Sequence, residues 1–233
     1  MPSLARRLVA EALGTFALVF VGAAVVVVNG GFPNSGIGLL GIALAHAVVL
    51  SVMITATMTI SGGHLNPAVT LGLLATRRIN AGSAVAYIVT QLAAAVVGAF
   101  MVKALFPVGA VRSALVGVPV IAGSVSLGQA VGLELILTFF LMSAVYGTAV
   151  SPDAPRVGGF GIGLVLLFDI LVGGPLTGAA MNPARAFGPA LVSGEWVGHV
   201  VYWVGPIAGA VLAAFLWEYF LLPRGPQRRR KND

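Results

Sequence analysis

Asn66-Pro67-Ala68 and Asn182-Pro183-Ala184 are the residues of this chain whose types and spacing point to a specific chemistry. Neither triplet holds a nucleophile, a general base or a metal-ligand set. An Asn side chain carries one acceptor oxygen and two N–H donors. Placed before Pro, its oxygen caps a helix, and Pro occupies the first turn, where a missing N–H costs little. The amide donors remain, beside a helix N-terminus that carries roughly half a positive charge. The chemistry on offer is donation to a small polar molecule and rejection of cations, with no bond made or broken. A single triplet would be an ordinary capped helix start. Two, 182 − 66 = 116 residues apart, each after small residues and before an apolar run, require a paired arrangement.

The elements that position them belong to a membrane protein. The chain has 233 residues, 58% hydrophobic and 9% charged, with mean hydropathy +1.01. Soluble domains carry about 25% charged residues, so this chain cannot coat a water-facing surface. Windows nearly free of charge recur at 13–29, 36–59, 79–101, 157–172 and 197–217, several of them near the ~20 residues that cross a bilayer as helix. They predict spans at 5–28, 36–59, 81–105, 127–149, 157–173 and 197–221. The first is too long for a signal-peptide core and is read as a retained span. The stretches 61–77 and 177–193 are apolar enough to enter the membrane and too short to cross it.

Charge orients the chain. The net charge of +6 is punctuation between apolar runs and does not indicate nucleic acid. With six spans and both termini cytoplasmic, Arg6, Arg7, Arg77, Arg78, Arg156 and the basic tail within 223–233 fall inside, while Lys103 and Arg112 fall outside. A prokaryotic cell membrane is the expected location. Cysteine is absent, which excludes disulfides, thiolate metal sites and cysteine nucleophiles.

The halves resemble one another: Glu11-Ala-Leu-Gly-Thr-Phe echoes Glu134-Leu-Ile-Leu-Thr-Phe. Three spans per repeat is odd, so the repeats, about 1–106 and 127–222, enter from opposite sides and place a site near the midplane. Two half-helices of about ten residues, ~15 Å each, would meet tip to tip across a ~30 Å core. The non-helical backbone before each is tolerable only in protein or against a water-filled cavity. Carbonyls of Gly62, Gly63, His64, Gly178 and Ala180 are predicted to line that cavity, with Asn66 and Asn182 donating at its centre. Two inward-facing positive helix ends reject cations and protons and pass neutral molecules. Glu11 and Glu134 are read as acceptors for buried loop N–H groups. They are not read as an acid–base pair, and no enzyme activity, metal or cofactor is expected. Arg185 is an intramembrane cation and functional by default. For His64 the backbone is expected to matter more than the ring. Asp169 has three open assignments: a hydrogen bond to His46, a subunit contact, or the outer interface. Trp196, Tyr202, Trp203, Trp217 and Tyr219 read as interface anchors.

Over essentially its whole length the chain resembles the aquaporin (major intrinsic protein) family. The motifs that carry the likeness are the Glu11 and Glu134 segments, Ser61-Gly-Gly-His-Leu-Asn-Pro-Ala-Val-Thr, Met181-Asn-Pro-Ala-Arg-Ala-Phe-Gly-Pro-Ala and Tyr202-Trp-Val-Gly-Pro. The resemblance implies an all-α membrane fold of six transmembrane helices and two re-entrant half-helices, and a homotetramer with a pore in every subunit. It also implies a constriction formed by His46, Ile170, Ala179 and Arg185, a set similar to that of plant tonoplast-intrinsic aquaporins. Residues 106–126 lack the His that ammonia-conducting members carry there, and Ala186 stands where glycerol channels usually have Asp. The implied function is passive conduction of water, then of ammonia or other small neutral solutes, with glycerol disfavoured. An ion-coupled transporter with broken helices and an adhesion or scaffold role remain as alternatives. The expected partners are water, small solutes and the lipid bilayer, with no nucleic acid.

Overall fold

A computed structural model describes residues 2–32 and 34–223; most of the basic tail, 224–233, lies outside the described residues. The chain runs through helices α1 (Leu4–Gly31), α2 (Gly38–Ser61), α3 (Pro67–Ala75), α4 (Ala81–Leu105), α5 (Val108–Ser113), α6 (Leu127–Val145), α7 (Phe160–Thr177), α8 (Pro183–Ser193) and α9 (Val201–Leu216). Tyr146–Val150 and Trp217–Leu221 extend α6 and α9 by a π-helical turn each. Among the described residues, six helices are long and apolar enough to cross a membrane. The two short ones, α3 and α8, have 9 and 11 residues and cannot.

The helix starts follow from local capping. Asn80 accepts from Ser83 N to open α4, and Ser126 with Gln129 forms a capping box at α6. Asn66 and Asn182 hold extended backbone at φ −157° and −149°, with Pro at the following position of α3 and α8. Gly62 (φ 95°) and Gly178 (φ 79°) end α2 and α7 in the left-handed conformation that glycine adopts at little cost.

Helix packing repeats between the halves. Helix α1 lies against α2 and α4, as α6 lies against α7 and α9; α2 meets α7, and each half-helix packs on the last span of the other half, α3 on α9 and α8 on α4. Small residues permit the approach, since lipid supplies no hydrophobic drive between helices. A Cβ on Gly98 of α4 would stand 3.1 Å from the carbonyl oxygen of Phe16, and one on Gly205 of α9 only 2.8 Å from that of Val131.

The expected boundaries shift in four places. Helix α1 continues through Asn29-Gly30-Gly31, and Asn29 accepts from Gly38 N at 2.9 Å, so the turn signal acts as a clamp on the entry to α2. Helix α7 spans Phe160–Thr177, not 157–173, because Pro175 falls in its last turn and Gly178 ends it. Helix α9 starts at Val201; Gly198, at φ 67°, keeps 197–200 out of the helix. The connection 107–126 holds α5 and a 3₁₀ turn at Leu115–Gly117.

Candidate functional site

The two segments that precede α3 and α8 are folded by the same hydrogen bonds. In the first, Glu11 of α1 is fully buried and accepts from Ser61 Oγ (2.7 Å) and His64 N (2.9 Å) on Oε1, and from Leu65 N (2.8 Å) on Oε2. In the second, Glu134 of α6 accepts from Thr177 Oγ1 (2.7 Å) and Ala180 N (2.9 Å) on Oε1, and from Met181 N (2.7 Å) on Oε2. Tyr87 donates to Ser61 O and Tyr202 to Thr177 O, each at 2.8 Å. Buried backbone donors with no water in reach must find acceptors inside the protein. A carboxylate with four lone-pair sites meets several at once.

The backbone of these segments is not simply extended. Gly62, Gly63 and Leu65 have φ of 95°, 61° and 51°, and Gly178, Ala179 and Met181 have 79°, 45° and 52°. The carboxylates stabilise these left-handed residues by holding the N–H groups on one side. Gly63, His64, Ala179 and Ala180 present the other side to a narrow cavity between the halves. Gly62 and Gly178 are not among its lining residues; they terminate helices.

At the centre the two caps interlock. Asn66 Oδ1 accepts from Ala68 N (2.8 Å) and its Nδ2 donates to Met181 O (2.9 Å). Asn182 Oδ1 accepts from Ala184 N (3.0 Å) and Arg185 N (3.3 Å), and its Nδ2 donates to Leu65 O (2.9 Å). A contact in which i meets j and the equivalent of j meets the equivalent of i is the signature of a two-fold axis. One N–H of each amide is spent across that axis, leaving the other beside the cavity. Pro67, Ala68, Pro183 and Ala184 are buried in the first turns of their helices and are not lining residues.

His46, Ile170, Ala179 and Arg185 come together on the same cavity as Asn66 and Asn182. The Arg185 Nη1 donates to Gly117 O (2.9 Å) and its Nε to His46 Nε2 (3.4 Å). His46 Nδ1 lies 2.9 Å from Ile42 O. A carbonyl can only accept and a guanidinium N–H can only donate, so the ring is the neutral Nδ1–H tautomer. The remaining wall is apolar, with Leu50, Leu141, Ile162 and Leu166 among its residues. One cation, a neutral imidazole, amide donors and a few carbonyls on a hydrocarbon wall can pass hydrogen-bonding neutral molecules in file. Among the described residues no group of His, Asp and Glu could hold a metal ion.

Tyr202 departs from its sequence reading, and Tyr87, His64 and Asp169 add what that reading passed over or left open. Tyr202 is no interface anchor: it is 1% exposed and holds the second loop. Its partner Tyr87 escaped notice, although 87 and 202 follow Ser61 and Thr177 at nearly equal distance. His64 lines the cavity and its ring is held in place: Thr70 Oγ1, whose proton goes to Asn66 O (3.0 Å), accepts from Nδ1 (3.0 Å). Asp169 does not bond to His46. It is 1% exposed, neither oxygen has a partner among the described residues, and it lies one turn before Gly173, on the face that meets Leu133 and Leu137 of α6.

Gln91 and Gly117 also went unread. Gln91, a buried amide in α4, donates to Glu11 Oε2 (2.8 Å) and to Thr70 (3.2 Å). A lone amide in an apolar span was the available signal. The equivalent position in α9, 91 + (202 − 87) = 206, is Pro206, so Glu134 lacks that fourth donor. The carbonyl of Gly117 reaches Arg185 only through the fold of 107–126, for which no local signal exists. Beyond the spans, Arg78 donates twice to Glu218 at 2.8 Å, which raises its pKa above the ordinary value.

Comparison with known proteins bears on the family and the fold. The family model described as Major intrinsic protein matches residues 1–217. The chain is 41% identical over 235 residues to "Aquaporin TIP4-4" of Zea mays, covering 98% of this chain and 91% of that protein. It is 44% identical over 229 residues to "Aquaporin TIP4-1" of Arabidopsis thaliana, covering 96% and 89%. The X-ray structure of the aquaglyceroporin from Plasmodium falciparum superposes with a TM-score of 0.84 at 25% identity, over 94% of this chain and 97% of that one.

Proposed function

Because the chain belongs to the major intrinsic protein family, we propose that the cavity between its halves is the conduit and that His46, Ile170, Ala179 and Arg185 select what passes. The protein is an integral multi-pass membrane protein and a passive channel for water and small solutes. Water is the primary substrate, ammonia the second, and glycerol is disfavoured. Ile170 and Ala179 contribute neither a ring nor a polar contact, so the constriction is wide and apolar on one side and cationic on the other. Asn66 and Asn182, with the positive ends of α3 and α8, orient each passing molecule and repel cations and protons. The chain carries out no catalytic step. It works as a homotetramer, one pore per subunit, built from repeats 1–106 and 127–222, with both termini cytoplasmic as the positive-inside bias requires. The two aquaporins named above, from Zea mays and Arabidopsis thaliana, are plant proteins and lend no support to a prokaryotic membrane.

The observation that carries this reading is the meeting of the Asn66 and Asn182 amides on the same cavity as Arg185 and His46. The test is stopped-flow water and ammonia uptake in reconstituted vesicles with proton leak recorded in parallel. Ile170→His is expected to lower ammonia flux more than water flux. An equal fall in both would remove Ile170 from the constriction. Ala179→Thr would be a poor second test, since a β-branched residue at φ 45° adds strain of its own.

A further inference from the structure

Each proposed filter side chain rests on a glycine. A Cβ on Gly173 would lie 3.2 Å from Ala179 Cβ, and one on Gly174 would lie 3.4 Å from Ile170 Cγ2. Gly117 supplies the carbonyl that Arg185 holds. The tightest case is Gly22 of α1, where a Cβ would stand 2.5 Å from His46 Nε2, 2.9 Å from Cδ2 and 3.2 Å from Cε1. Gly22 is buried mid-helix, where Ala is the better helix former, so helix formation does not explain a glycine there.

We infer that Gly22 is a positioning residue that sets the bore of the filter, and with it the size of solute admitted, by letting the His46 ring lie back against α1. The inference rests on the filter assignment made above. Ordinary carbon–nitrogen contact needs about 3.5 Å, so a methyl group at 22 displaces the ring by about 1 Å. The ring is tied at Nδ1 to Ile42 O, so it swings about that tie. The edge that swings carries Nε2, which accepts from Arg185 Nε on the wall of the cavity. A shift of about 1 Å is roughly a third of the diameter of a water molecule, a large fraction of a single-file opening.

The other half of the molecule supports this pairing of sizes. By the offset between Glu11 and Glu134, the counterpart of Gly22 is 22 + 123 = 145; by the offset between the Asn residues, that of His46 is 46 + 116 = 162. Val145 and Ile162 both line the cavity. A bulky residue is accepted at that place in the helix where no imidazole faces it.

The test compares Gly22→Ala, His46→Ala and the double variant in vesicles, with uptake of water, ammonia and the bulkier methylamine measured for each. Gly22→Ala is expected to lower methylamine uptake about tenfold relative to water, within the range set by overpacking a core by one methyl. His46→Ala is expected to raise the methylamine-to-water ratio, and the double variant is expected to match His46→Ala alone. A Gly22→Ala effect that persists unchanged without the imidazole, or no change of ratio in the single variant, overturns the inference. If His46→Ala itself leaves the ratio unchanged, the filter assignment fails instead. Should Gly22→Ala not fold, the double variant decides: recovery with the His46→Ala ratio supports the pairing, and failure of the double as well overturns it.

Discussion

At the scale of single residues, the two buried carboxylates are structural acceptors with unequal support. Glu11 meets four donors, including the Gln91 amide, whereas Glu134 meets three. Glu134→Gln would turn an amide N–H toward Ala180 N, Met181 N or Thr177 Oγ1, leaving at least one donor unpaired in a site that water cannot reach. The expected loss is about 1–3 kcal/mol, read as a lower unfolding temperature in detergent with a parallel fall in water flux. Unchanged stability would mean that the Ala180 and Met181 N–H groups find other acceptors. The hydrogen bonds of Glu11 and Glu134 reach partners 43 to 80 residues away, and no local pattern names those partners. What was legible was the chemistry of the need: a carboxylate in an apolar helix must be paired.

At the scale of elements, the two re-entrant segments depend on where the long helices stop. Gly178 and Gly194 both end helices in the left-handed region, at φ 79° and 83°, but their surroundings differ. A Cβ on Gly178 would stand 2.7 Å from Pro119 Cβ, while one on Gly194 meets nothing within 4 Å. Gly194→Ala is therefore expected to cost about 1–2 kcal/mol, the conformational penalty alone. Gly178→Ala adds overpacking of about 1–3 kcal/mol and disturbs Ala179 beside it. Thermal unfolding of both variants checks this, and equal losses would show that the connection 107–126 yields freely. Caps of this kind are written locally, which is why Asn66 and Asn182 could be read as helix starts, whereas Gly62, expected to line the cavity, proved to be a helix stop. The role of α5 and the turn at Leu115–Gly117 was not legible, because their left-handed residues Leu115 and Val116 (φ 47° and 57°) carry no sequence preference for that conformation.

At the scale of the whole molecule, the halves are joined at the centre by two reciprocal hydrogen bonds, Asn66 to Met181 and Asn182 to Leu65. Asp at either position keeps an acceptor for the helix cap and removes the donor across the axis. Asn66→Asp or Asn182→Asp is expected to leave one carbonyl unpaired at about 1–3 kcal/mol and to raise proton leak by placing a negative charge at the midpoint. The pair shares one interface, so the double variant should depart from the sum of the singles by about 0.5 kcal/mol or more. Strict additivity of the unfolding energies would show that the tips act independently.

The class of molecule was already settled by local composition: hydropathy and length set six spans, small residues set close packing, and two Asn-Pro steps set two short helices. These depend on neighbours within a few turns, where composition and spacing decide the free energy. Tertiary structure alone decided which atoms face the cavity. It turned Tyr202 inward, brought the Gly117 carbonyl to Arg185, set His46 Nε2 against Arg185 Nε and seated the ring against Gly22. Those outcomes turn on ångström-level distances between residues 24 to 139 positions apart, and only the packed helices fix such distances.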